Sequence, residues 1–220
     1  MAKAGIAKSL VVLVLCGTLI WTSCSTAWIN EVEQIVAVLI PATANIVSLV
    51  ATLRGNVSAA DLQIVESAGS QAGTDLQLMQ SLIAQYRKAD SAAQPGLLNQ
   101  IQAAVVAVES TLNGLLPALH IKDAATQAKI TAVVGILLAE VQSVAAIMPL
   151  TKPNAVAEMK HVAATQIKKR APLTANEFVI SYNATMTAKT GKADLDHATA
   201  GLRIHLHEKA VRWASAGLLK

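Results

Sequence analysis

The chain has 220 residues, of which 53% are hydrophobic, 15% charged and 3% aromatic, with a formal net charge of +4. That hydrophobicity excludes a charge-driven disordered protein. So few aromatics exclude a base-stacking platform, and a chain whose apolar content is mostly Ala, Leu, Val and Ile, with only six prolines and eleven glycines to make turns, points to helices rather than strands.

The first element is a leader. Lys3 and Lys8 precede an apolar run from Leu10 to Trp21, the arrangement of an export signal and shorter than the roughly 20 apolar residues of a comfortable membrane span. The run ends in Ile20-Trp21-Thr22-Ser23-Cys24. A small residue directly before a cysteine at this place resembles the lipobox of bacterial lipoproteins, with Trp21 where that class usually has Leu. The resemblance covers the leader alone. It implies that residues 1–23 are removed and that Cys24 becomes a lipid-bearing N-terminus, giving an exported chain anchored in the cell envelope. Ser25 in the following position resembles lipoproteins sent to an outer membrane, where the host has one. Two other outcomes remain open from the residues themselves: cleavage after Ser25-Thr26-Ala27, or an uncleaved anchor helix from Leu10 to Cys24. Cys16 and Cys24 are the only cysteines, so removal of the leader leaves no pair to oxidise, and thiol catalysis and cysteine-rich metal sites are excluded.

Residues 24–150 carry four segments with apolar residues at alternating spacings of three and four, which holds a single stripe on one face of a helix. The stripes run from Trp28 to Leu53, from Leu62 to Tyr86, from Leu98 to Leu119 and from Ile130 to Met148. Arg54-Gly55-Asn56, the stretch from Ala89 to Gly96, and His120 to Asp123 separate them; Ser58 is placed to cap the second segment, and Pro149 and Pro153 end the fourth. Joints this short make neighbours antiparallel, so the expected fold is all-α: an elongated up-down four-helix bundle. Pro41 should kink or divide the first helix, and Gly69 and Gly73 should allow close approach or a break in the second.

Residues 151–220 change character. Five Lys/Arg against nine Asp/Glu in residues 24–150 become eleven against five here. Additional amphipathic helices are expected: Val156 to Ile167, then a helix opened by the capping-box pair Thr174 and Glu177 and carrying Phe178, Val179, Tyr182 and Met186, then, after a turn at Thr190-Gly191, a last helix with Leu195, Ala198, Leu202, Leu206, Ala210 and Trp213 on one face. This basic region either packs on the acidic bundle or meets an anionic surface through Lys168, Lys169, Arg170, Arg203, Lys209 and Arg212, the surface being lipid, polysaccharide or another envelope protein. Nucleic acid is disfavoured by export and by the lack of aromatic interleaving.

The chemical inventory is thin. Glu158 and His161 form a single Glu-x-x-His pair where a di-iron bundle needs two, with further glutamates. His197, His205, His207 and Glu208 read as a solvated helix flank, and Glu109 and Glu140, off their stripes, read as the wet faces of amphipathic helices. Nucleophile elbow, phosphate loop, zinc-protease and nucleotide motifs are absent, so no cofactor or enzymatic activity is expected. The function that fits is a non-enzymatic, envelope-anchored scaffold or interaction protein. A membrane-active helical protein of the pore-forming or holin-like kind, and a carrier holding an apolar ligand between loosely packed helices, are the alternatives.

Overall fold

The computed structural model describes residues 27–52, 58–149 and 172–205. Among these residues there are six helices and no strand: α1 (Ala27–Thr52), α2 (Ala59–Lys88), α3 (Gln94–Ala118), α4 (Ala124–Ile147), α5 (Ala175–Thr187) and α6 (Ala193–Ala200). α2 packs between α1 and α3, and α4 packs on both α3 and α1, which closes the ring of a four-helix bundle. The packing is up-and-down: Trp28 at the start of α1 meets Tyr86 at the end of α2, ring centroids 5.3 Å apart in an edge-on contact. Asp61 at the start of α2 accepts the His120 N–H just beyond α3.

The stripes are the core. Val32, Ile35, Leu39, Ala42, Ile46 and Leu49 of α1, Leu76, Met79 and Ile83 of α2, Ile101, Val105, Val108 and Leu112 of α3, and Ile130, Val134, Leu137 and Val141 of α4 are all buried. The helix starts are set by side chains that accept backbone N–H groups otherwise left unpaired. The Ser58 hydroxyl accepts from Asp61 N–H at 3.0 Å, and the Asp123 carboxylate from Thr126 N–H at 2.9 Å. Asp61 is itself buried, and its carboxyl is held below the usual carboxylate range by hydrogen bonds from the Ser58 hydroxyl and the His120 N–H. It ties the start of α2 to the α3–α4 joint.

Pro41 does not divide α1, which runs unbroken past it with the ring on the exposed side. Solvent on that flank can satisfy the carbonyl that loses its partner. α2 is likewise unbroken at its glycines, and Gly69 lies so close to α1 that a Cβ there would fall 2.2 Å from Cγ2 of Val47, whereas a Cβ at Gly73 would meet nothing within 4 Å. The two glycines should therefore respond oppositely. Gly73→Ala gains helix propensity and should stabilise the fold by up to about 1 kcal/mol. Gly69→Ala must displace the stiff, branched Val47, and overpacking of roughly 1–3 kcal/mol should cancel or outweigh the same gain. Urea unfolding of the two variants beside the parent checks this; equal stabilisation in both would contradict the close approach.

Two further helices lie against the ring. α5 packs on α4 and α1, and α6 packs on α5 and α1. α5 begins with the expected capping box: Thr174 Oγ1 accepts from Glu177 N–H, and the Glu177 carboxylate accepts from Thr174 N–H at 2.9 Å. Its buried face is Phe178, Val179, Tyr182 and Met186. Gly191 then turns the chain with φ at +80°, a conformation open to glycine at little cost.

Candidate functional site

Cys24, Lys168, Lys169, Arg170, Lys209 and Arg212 lie outside the described residues, as do Glu158, His161, His207 and Glu208. Arg203 is exposed on the stretch that follows α6, His197 is exposed on α6 and His205 is exposed beyond it. The expected continuous helix from Leu195 to Trp213 is not what forms. α6 ends at Ala200, Gly201 caps it, and residues 201–205 are non-helical. The reason is a clamp of two asparagines. Asn45 of α1 donates to the Leu202 carbonyl at 2.9 Å, while Asn183 of α5 donates to the Ile204 carbonyl at 2.8 Å and accepts the Ile204 N–H at 3.0 Å. Side-chain amides thus take over the hydrogen bonds that a continuing helix would have used. His205 consequently sits off any helix.

Glu109 and Glu140 are not on wet faces. Glu109 is 9% exposed and Glu140 is 0% exposed. Glu109 Oε1 accepts a hydrogen bond from Gln142 Nε2 at 2.9 Å across the α3–α4 contact. Glu140, two positions away on α4, points to a different side and has no hydrogen-bond partner at either oxygen. The two carboxylates therefore do not form an acid–base pair. In a bare four-helix bundle the flank of α4 next to α1 would meet water, but α5 lies on α4 and α1 and covers it. Burial pushes the Glu140 carboxyl up to about 8, and repulsion from Glu177 of α5 and Glu31 of α1 adds to the shift. A neutral carboxylic acid is what such a place tolerates, because an unpaired charge in a dry interior costs far more than a shifted proton.

The same seam holds other committed polar groups. At one end of α5, the Ser143 hydroxyl of α4 accepts Leu173 N–H at 2.9 Å while donating to Ala139 at 3.0 Å. At the other end, the buried Lys129 ammonium donates to the Ala188 carbonyl at 2.8 Å, a favourable cation at a helix C-terminus. Burial lowers the Lys129 pKa, with the nearby Asp196 carboxylate opposing. Lys192 forms an ion pair with Asp123 beside it. Tyr182 is fully buried against Phe178, ring centroids 5.8 Å apart. Its hydroxyl has no well-formed hydrogen bond, and burial raises its pKa while the Asn45 amide opposes.

An open depression of about 550 Å³ lies at the α5–α6 turn, lined by Lys189, Gly191, Asp196 and His197 among others. Its carboxylate is spent on the turn: Asp196 Oδ1 accepts both the N–H and the hydroxyl of Thr190 at 2.8 Å. Among the described residues, no group of three or more His, Cys, Asp or Glu side chains is placed to hold a metal ion. The features that sequence reasoning missed are the buried state of Glu140 and the asparagine clamp. The last stripe continues through Leu202 and Leu206, and Gly201, which caps α6, is the local signal for the end of that helix.

Three helices, α1, α3 and α4, are long and apolar enough to cross a membrane, with mean hydropathies of 1.9, 1.2 and 2.0 over their most apolar windows, about half of each window being buried between helices. Comparison with protein-family models, curated proteins and solved structures finds no match.

Proposed function

We propose that the chain is a non-enzymatic lipoprotein of the cell envelope, held to a membrane by a lipid on Cys24 and serving as a helical scaffold or interaction protein. The observation that carries this reading is Ser23-Cys24 at the end of an apolar leader, three residues before α1 begins at Ala27. A lipid at Cys24 would place the bundle directly on the membrane surface with almost no tether. Ser143 and Lys129 at the α4–α5 seam and Asp196 at the α5–α6 turn are each spent on backbone groups, which supports a structural rather than a catalytic role. The contacts with anionic lipid, polysaccharide or a second envelope protein fall to Lys168, Lys169, Arg170, Arg203, Lys209 and Arg212, and no cofactor is required.

The second reading, a membrane-active helical protein, is favoured by the three apolar helices. One experiment separates the two. In a bacterial host, Cys24→Ala should abolish labelling by a palmitate analogue and move the protein to the soluble fraction. Labelling and membrane retention that persist in the variant would refute the lipid anchor. Lost labelling with undiminished, detergent-only extraction would favour the membrane-active reading.

A further inference from the structure

The orphaned carboxyl of Glu140 lies where the shortest helix of the main packing covers the longest-range contact of the bundle. α5 has 13 residues and α1, α2, α3 and α4 have 24 to 30. α5 rests on the seam between α1 and α4, and its attachments to α4 are few: a backbone N–H on Ser143 at one end, a carbonyl on Lys129 at the other, and one apolar face between. Local opening of such a peripheral element costs less than unfolding the ring beneath it. We propose that α5 is a latch held closed by a proton on Glu140, and that loss of this proton loosens α5 from the α1–α4 seam while the four-helix ring stays intact.

The charged surroundings all act in the same direction. Glu177 of α5 and Glu31 of α1 are close enough to repel an ionised Glu140. From α3, the remaining neighbour of α4, Glu109 is engaged by Gln142 on a different side of the helix. Among the described residues, no Lys or Arg contributes to the charge environment of Glu140, so nothing there offers the anion a partner. The nearest charges instead repel it. Ionised Glu140 must reach water, and lifting α5 is the shortest way to admit it. Glu177 travels with α5, so opening also separates two carboxylates. The surface uncovered is the seam of α1 and α4, the two most apolar of the described helices.

In the open form Glu140 should ionise near its ordinary value of 4.5, and in the closed form it does so at about 8. Between those limits the opening equilibrium gains one released proton and should rise about tenfold per pH unit; above 8 it should level off. Hydrogen exchange of the full chain, with rates normalised to the intrinsic rate at each pH, reads this directly. Protection of residues 175–187 should fall about 100-fold between pH 5.5 and 7.5 and should lie below that of α2 throughout, because α2 exchanges only when the ring itself unfolds. In Glu140→Gln, and independently in Glu140→Met, the α5 protection should lose that pH dependence. Protection of α5 equal to that of α2 at every pH, no fall in the parent, or the same fall in both variants would overturn the latch. Glu177→Gln provides a graded control: by removing one repelling carboxylate it should lower the pH at which the curve levels off.

Discussion

Glu140→Met should make the protein more stable at pH 7, by about 3 kcal/mol. In the unfolded chain Glu140 ionises near 4.5, whereas the folded chain keeps its proton up to about 8. At pH 7 the folded state must therefore hold a proton that the unfolded state has released, and each of the roughly 2.5 intervening pH units costs about 1.4 kcal/mol. The sign follows: Glu140 makes stability fall as pH rises from 4.5 to 8, with no further loss above. Methionine has a similar length, no charge, and no oxygen left without a partner in a site where Glu140 is 0% exposed. Urea titrations of parent and variant at pH 4.5 and pH 8 check this. The gap between them should be widest at pH 8 and narrow strongly at pH 4.5. A gap independent of pH would mean that Glu140 is ionised in the folded protein.

Leu137→Asp should unfold the bundle. Leu137 is 0% exposed in the middle of α4, and an aspartate there would put a charge into the apolar core. The lost burial and the unpaired carboxylate together cost on the order of 5 kcal/mol, comparable to the whole stability of many domains. Circular dichroism should show loss of helix and of a cooperative transition. The matched control is Ile180→Asp on α5, where the parent side chain is 61% exposed and the change should be nearly neutral. A folded Leu137→Asp protein would place the core elsewhere.

Much of this architecture was legible from spacing alone. The stripe positions of α1, α3 and α4 that are described, Trp28 to Leu49, Leu98 to Leu119 and Ile130 to Met148, are all buried, because a 3-4 repeat leaves a helix one way to face a neighbour. The caps at Ser58 and Thr174 were equally readable, since their chemistry is local. What spacing could not convey is where a later helix lands. Glu140 looks solvated when four helices are considered and becomes the most enclosed carboxylate once α5 lies on α4 and α1. The asparagine clamp escaped for the same reason: Asn45 and Leu202 are 157 positions apart, and nothing near either announces the other. Functional residues expected in the leader and in the basic clusters at 168–170 and 209–212 fall outside the described residues, leaving Arg203 as the exposed member of that set.

Among the described helices, α1 touches α2, α4, α5 and α6. A chain made from its N-terminus onward therefore produces first the helix whose partners are completed last. α1 can pair with α2 early, but the side that receives α4, and later the Leu202–Ile204 stretch, waits for some 150 further residues, roughly ten to thirty seconds at ordinary synthesis rates. During that interval one of the two most apolar helices is left half-covered. The flank of α1 that α5 and α6 cover is thus the last part of the fold to be enclosed, and truncation after residue 149 should leave that flank open to solvent.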